Sequence, residues 1–157
     1  MYIKLTSFLL LITIVGFFSC DDKNSKIPSI EFVSVSKSYL AQNGADSSYL
    51  KFLFTDGDGN IGSDTADNIF VKDSRTGTNI ASYKIPNYLG NNSSNSSRSG
   101  EVTIIVYSQC CIYPDTTSCY SSTMYPTGIM KYEVQIKDQE GNYSNIIESN
   151  EITLDCN

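Results

Sequence analysis

The stretch Asp56-Gly57-Asp58-Gly59-Asn60-Ile61-Gly62-Ser63-Asp64 sets side-chain oxygens at short intervals on a glycine-rich backbone. Calcium takes six to eight oxygen ligands, and glycines supply the positive φ that wrapping an ion requires. The spacing is not that of an EF-hand. With Asp56 at the first loop position, Ile61 stands where glycine is needed; with Asp58-Gly59 at the fifth and sixth, Phe54 and Thr65 fill the first and twelfth. A plain hairpin turn is the competing reading, because Asp-Gly is a standard turn pair. A second polar set, Asp138, Glu140 and Asn142, follows the alternating segment Tyr132–Ile136.

Cysteine supplies the other chemistry. Cys110, Cys111, Cys119 and Cys156 form an even set suited to disulfides in an oxidising compartment, and a fifth, Cys20, stands apart. Four cysteines allow three pairings, and a bond between the adjacent pair is disfavoured by strain. Cys156 shares parity with Ile152 and Leu154, and Cys110 with Ile104 and Val106, which favours Cys110–Cys156 with Cys111–Cys119. Zinc fits poorly, since there is no Cys-x-x-Cys pair and no histidine. The missing histidine also removes a histidine-based triad. Paired carboxylates such as Asp56 and Asp138 are the remaining hydrolytic option, but no apolar pocket is evident to separate their pKa values, so no enzyme is expected.

The elements that must position these groups begin with an apolar run, Leu5 to Phe18, behind the single positive charge of Lys4. It is short for a spanning helix, shows no helical polarity pattern, and stops at Ser19-Cys20 before Asp21-Asp22. Residues 1–19 therefore read as an export signal, 20–29 as a polar tether, and 30–157 as one domain. The net charge of −6 argues against a nucleic-acid partner. Strands are expected at Ile30–Val35, with a bulge between Phe32 and Val33, and at Leu50–Phe54, Ile69–Lys72, Ile80–Lys84, Tyr132–Ile136 and Glu151–Leu154. Val102–Tyr107 is apolar on both faces and reads as a central strand. Pro86 to Gly100, rich in Asn and Ser, is expected to be a mobile loop. Cys110 to Pro126 is a stapled excursion carrying Tyr113, Tyr120 and Tyr125, the candidate recognition residues.

About seven short strands with turn signals between them make the fold class all-β, a β-sandwich. Tyr132-x-Val134-x-Ile136-x-Asp138-x-x-Gly141-x-x-Ser144 resembles the sixth strand and following turn of fibronectin type III and bacterial Ig-like domains, where the tyrosine hydroxyl caps a corner. In such a sandwich, loops after a second strand at Leu50–Phe54 and a sixth at Met130–Ile136 emerge at one end. Asp56, Asp58, Asn60 and Asp64 would then meet Asp138, Glu140 and Asn142. Five carboxylates gathered without a cation repel, so this set is the candidate for a structural calcium.

The N-terminus resembles a bacterial lipoprotein signal, which implies that Cys20 is lipidated; Phe17 departs from the usual leucine three positions before it. The acidic run after Cys20 resembles the surface-export signal of Bacteroidota lipoproteins. Phe54 to Gly62, Cys110-Cys111-Ile112-Tyr113-Pro114-Asp115 and the terminal Ile152-Thr153-Leu154-x-Cys156 are similar to a recurrent set in small Bacteroidota lipoproteins of unassigned role. That resemblance implies an Ig-like outer-membrane lipoprotein and no known chemistry. Asp64-Thr65-Ala66 and Asp115-Thr116-Thr117 resemble the O-glycosylation acceptor of that phylum. The expected function is a membrane-anchored, non-enzymatic binding or scaffold domain at the cell envelope, held by lipid on Cys20. Its partner would be a glycan, a peptide or an outer-membrane protein, with the membrane face undecided. The alternatives are a structural spacer and a carboxylate-based hydrolase.

Overall fold

The computed structural model describes residues 25–44, 46–87, 96–114 and 119–157. The signal, Cys20, the acidic residues after it, residues 88–95 of the Asn/Ser-rich segment and the Asp115-Thr116-Thr117 motif lie outside the described residues. Ten strands and no helix are present among the described residues: β1 Ser29–Val35, β2 Tyr39–Ala41, β3 Ser47–Asp56, β4 Ile69–Asp73, β5 Asn79–Tyr83, β6 Arg98–Tyr107, β7 Thr127–Met130, β8 Tyr132–Ile136, β9 Ile147–Glu148 and β10 Ile152–Asp155. They form three sheets, ordered β1-β3-β6, β2-β10-β7 and β5-β4-β8-β9. The all-β class expected from the sequence is the class observed.

Alternation builds the core. β3 buries Ser48, Leu50, Phe52 and Asp56, β8 buries Tyr132, Val134 and Ile136, and β10 buries Ile152 and Leu154. These rows join one apolar cluster with Leu40, Ile69, Val71, Ile104, Val106 and Met130. Full burial of each aliphatic side chain stabilises by roughly 1.5–3 kcal/mol. The bulge expected in β1 is present as a register shift between Phe32 and Ser34. Two tyrosine hydroxyls tie β6 across the sandwich: Tyr83 donates to the Ile105 carbonyl, and Tyr132 to the Tyr107 carbonyl at 3.2 Å. Burial, with Asp73 nearby, holds the Tyr132 hydroxyl above the usual tyrosine range, so it stays a donor.

Several expectations are corrected. β6 is an edge strand, and β3 is the central strand of its sheet. The apolar outward residues of β6, Ile105 and Tyr107, face solvent instead of a second layer. β6 starts at Arg98, so Arg98 to Gly100 are strand and not loop. Met130–Ile136 is two strands: β7 pairs with β10, β8 pairs with β4, and the chain changes sheets at Lys131. β2, β7 and β9 are additional to the strands read from the sequence.

The disulfide pairing is also corrected. The bonds are Cys110–Cys119 and Cys111–Cys156. The inward row of Ile104 and Val106 continues to the buried Ser108 and slips after it, so parity counted onward to Cys110 selects the wrong cysteine. Between Ser108 and Cys111 the inward row shifts by one residue, and Cys111 is the buried one beside the buried Cys156. Gly128 in β7 packs beside this bridge: a Cβ there would stand 3.4 Å from the Cys111 sulfur and 3.6 Å from that of Cys156, ordinary contact distances.

Candidate functional site

β3 and β8 belong to different sheets, and each ends by placing an aspartate on its core-facing row. Asp56 continues the row of Leu50 and Phe52; Asp138 continues that of Val134 and Ile136. The two loops touch directly, with the Gln139 amide donating to the Asn60 carbonyl at 3.3 Å and the Gln139 side chain donating to the Gly62 carbonyl. The chain entry closes the same end, where the Gly57 amide donates to the Ser25 carbonyl at 3.0 Å. Gly59 has φ +75°, and a Cβ on it would collide with the Ser96 carbonyl oxygen. Only glycine lets the loop fold this tightly.

The electrostatics of this end are unusual. Asp56 is 0 % exposed, and neither of its carboxylate oxygens has a hydrogen-bond partner among the described residues. Asn60 Nδ2 donates to Asp58 Oδ2 at 3.2 Å, leaving Asp58 Oδ1 and Asn60 Oδ1 buried and bare. Asp138 is held differently: it accepts from the Asn142 amide and from Asn142 Nδ2, both at 2.8 Å. Arg98 is paired with Asp56 in the β3–β6 ladder, yet the ion pairs among the described residues do not include either residue. Burial first, then the charges of Asp58 and Asp138, push the Asp56 carboxyl up to about 6; the nearby Ile61 amide works against the rise without reaching hydrogen-bond geometry.

A raised folded-state pKa has a definite sign. Between the ordinary 3.8 and about 6, the folded chain holds more protons on Asp56 than the unfolded chain does. The contribution is therefore present at low pH and lost as pH rises through 6. In chelator-treated protein, urea unfolding should show a gain of about 1 kcal/mol on going from pH 7 to pH 5, which Asp56→Asn removes.

Of the oxygen ligands expected from the sequence, the structure brings together Asp56, Asp58, Asn60 and Asp138, with Asn142 donating to Asp138. It does not bring in Asp64 or Glu140. Both are exposed and line an open depression of about 620 Å³ beside the buried cluster. Asp64 Oδ1 instead accepts from the Asn87 amide at 3.2 Å. No three acidic, cysteine or histidine side chains by themselves form a metal-holding group among the described residues. A cation here would need the Asn60 amide oxygen or main-chain oxygens as well. The sequence reading gave no role to Gln139 or Ser25, which act mainly through main-chain contacts and carry no distinctive side-chain signal.

The tyrosine excursion lies elsewhere. β6 runs from Arg98, opposite Asp56, to Tyr107, opposite Ser47, and its ten residues span roughly 30 Å. Cys110 and Cys111 follow at the far end. Tyr113 is tucked in, its hydroxyl donating to the Tyr120 carbonyl at 2.6 Å and its ring 6.0 Å from that of Tyr125. Tyr120, Met124 and Tyr125 are exposed at 66 %, 77 % and 48 %. Tyr39 and Ile129, both paired with Thr153 of β10, add two more exposed side chains on the outer face of the adjoining sheet.

No protein-family model matches the chain, and comparison with curated proteins and with solved structures gave no match.

Proposed function

We propose that this chain is an envelope lipoprotein, anchored through Cys20, whose Ig-like sandwich displays a non-enzymatic binding surface. The observation that carries the reading is the separation of chain entry from the aromatic excursion. The chain enters β1 beside Asp56, where Ser25 already bonds to Gly57. Tyr120, Met124 and Tyr125 lie beyond the other end of β6 and are held there by two disulfides. An anchor at the entry end therefore presents the aromatics away from the membrane. Exposed tyrosines on a braced loop offer large contact area at low entropic cost, which suits a glycan, a peptide or an outer-membrane protein. Asp56 is sealed from solvent, which weighs against a hydrolase built on Asp56 and Asp138.

Two measurements test this. Cys20→Ser should move the chain from the membrane fraction to the soluble fraction, since acyl chains at about 0.8 kcal/mol per buried CH₂ are the anchor. Retention of Cys20→Ser on the membrane overturns the anchoring reading. On glycan and peptide arrays and against isolated outer-membrane proteins, Tyr120→Ala/Tyr125→Ala should reduce binding at least tenfold with an unchanged melting temperature. Absence of binding by the unaltered chain, or binding indifferent to that variant, favours a spacer.

A further inference from the structure

We propose that the buried end of the sandwich between the β3–β4 and β8–β9 loops is a calcium site. Asp56, Asp58 and Asn60 supply its side-chain oxygens, and Asp138 adds a further negative charge. Six buried side-chain polar atoms lack a partner among the described residues, and four of them are oxygens of Asp56, Asp58 and Asn60. An unpartnered buried oxygen costs about 1–3 kcal/mol, more when charged, and such groups are rare in native proteins. Four at the end of β3 and in the loop after it, close to a further aspartate, are explained by a ligand that replaces the missing donors.

The chemistry narrows that ligand. All four bare atoms are acceptors, two belong to one carboxylate, and the Asn60 amide has its donor end committed to Asp58 so that its oxygen is left free. A hard cation that tolerates carboxylate and amide oxygens together fits; soft metals that favour thiolate or imidazole do not. Magnesium demands near-ideal octahedral geometry and keeps its waters, whereas this cluster is closed to solvent at Asp56. The opposite end of the sandwich shows the alternative solution to the same problem. There the buried Asp73, also on a core-facing row, is met by Arg75 from its own turn, with Nη2 2.6 Å and Nε 3.0 Å from the carboxylate. Arg98 stands opposite Asp56 in the β3–β6 ladder but makes no ion pair with it, and its own Nε is buried without a partner. The four bare oxygens are thus left without a donor from Arg98, and a bound cation supplies the missing charge.

The test uses the purified chain stripped with EDTA. Calcium should bind with a stoichiometry of one by calorimetry, and the melting temperature should climb by about 5 °C or more at millimolar calcium. Asp56→Asn should abolish this response while melting no lower than the unaltered chain without calcium, because it removes a repelled charge and keeps the shape. Asp58→Asn supplies a second variant that should lose the response. Asp64→Asn/Glu140→Gln, outside the cluster, should keep it. No calcium response up to about 10 mM, an equal response to magnesium, or a response surviving in both Asp56→Asn and Asp58→Asn overturns the proposal.

Discussion

Removing the Cys111–Cys156 bridge should lower stability by about 4 kcal/mol, against about 2.5 kcal/mol for Cys110–Cys119. The difference follows from the sequence separations of 45 and 9, since the longer loop has more unfolded-state entropy to lose. Packing widens the gap, because Cys111 and Cys156 are both in the apolar core beside Gly128. Urea unfolding of Cys111→Ala/Cys156→Ala and of Cys110→Ala/Cys119→Ala measures both values. Equal losses would contradict the ordering. Peptide mapping of the oxidised chain checks the pairing itself.

The second large effect lies in the β4–β5 turn. Arg75 is the counter-ion of the buried Asp73 and also donates to the Cys110 carbonyl at 3.0 Å, joining that turn to the base of the stapled excursion. Arg75→Met should cost about 3–5 kcal/mol, because it leaves a carboxylate 5 % exposed without its partner. Asp73→Asn/Arg75→Met should recover most of that loss, since the stranded charge goes with the cation. Chemical denaturation of the single and double variants decides it: a double variant as unstable as Arg75→Met alone would mean that packing, and not charge, sets the cost.

Alternation made much of the sandwich legible. Leu50 and Phe52, Tyr132 to Ile136, and Ile152 with Leu154 each announce their buried face through period two, and the slip at Phe32–Val33 announces the bulge. What failed was continuing a period past the end of its strand. Cys110 and Cys111 sit only three and four residues beyond Tyr107, and a one-residue slip of the buried row after Ser108 reverses which of them points inward. β7 was hidden for a related reason. It is four residues long, begins after Pro126 and contains Gly128, so its composition reads as loop. β6 misled because Ile105 and Tyr107 look like core residues and yet face solvent on an edge strand.

The candidate site was legible in residue type and only partly in membership. Asp56 and Asp138 could be set apart from Asp64 and Glu140 by extending the inward row of each strand by one step, whereas loop residues further on obey no period. Burial of Asp56, the property that matters most, depends on the Gln139 and Ser25 contacts from distant parts of the chain, and nothing local in the sequence states it.

The Cys111–Cys156 bond closes a ring that contains β7, β8, β9 and β10. A protease that cuts the chain once anywhere between Ile112 and Asp155 therefore yields two polypeptides that remain one molecule. The piece after the cut stays joined through sulfur to the piece before it. A single nick in the aromatic excursion beyond Cys111 would change the ends of the chain without separating the pieces.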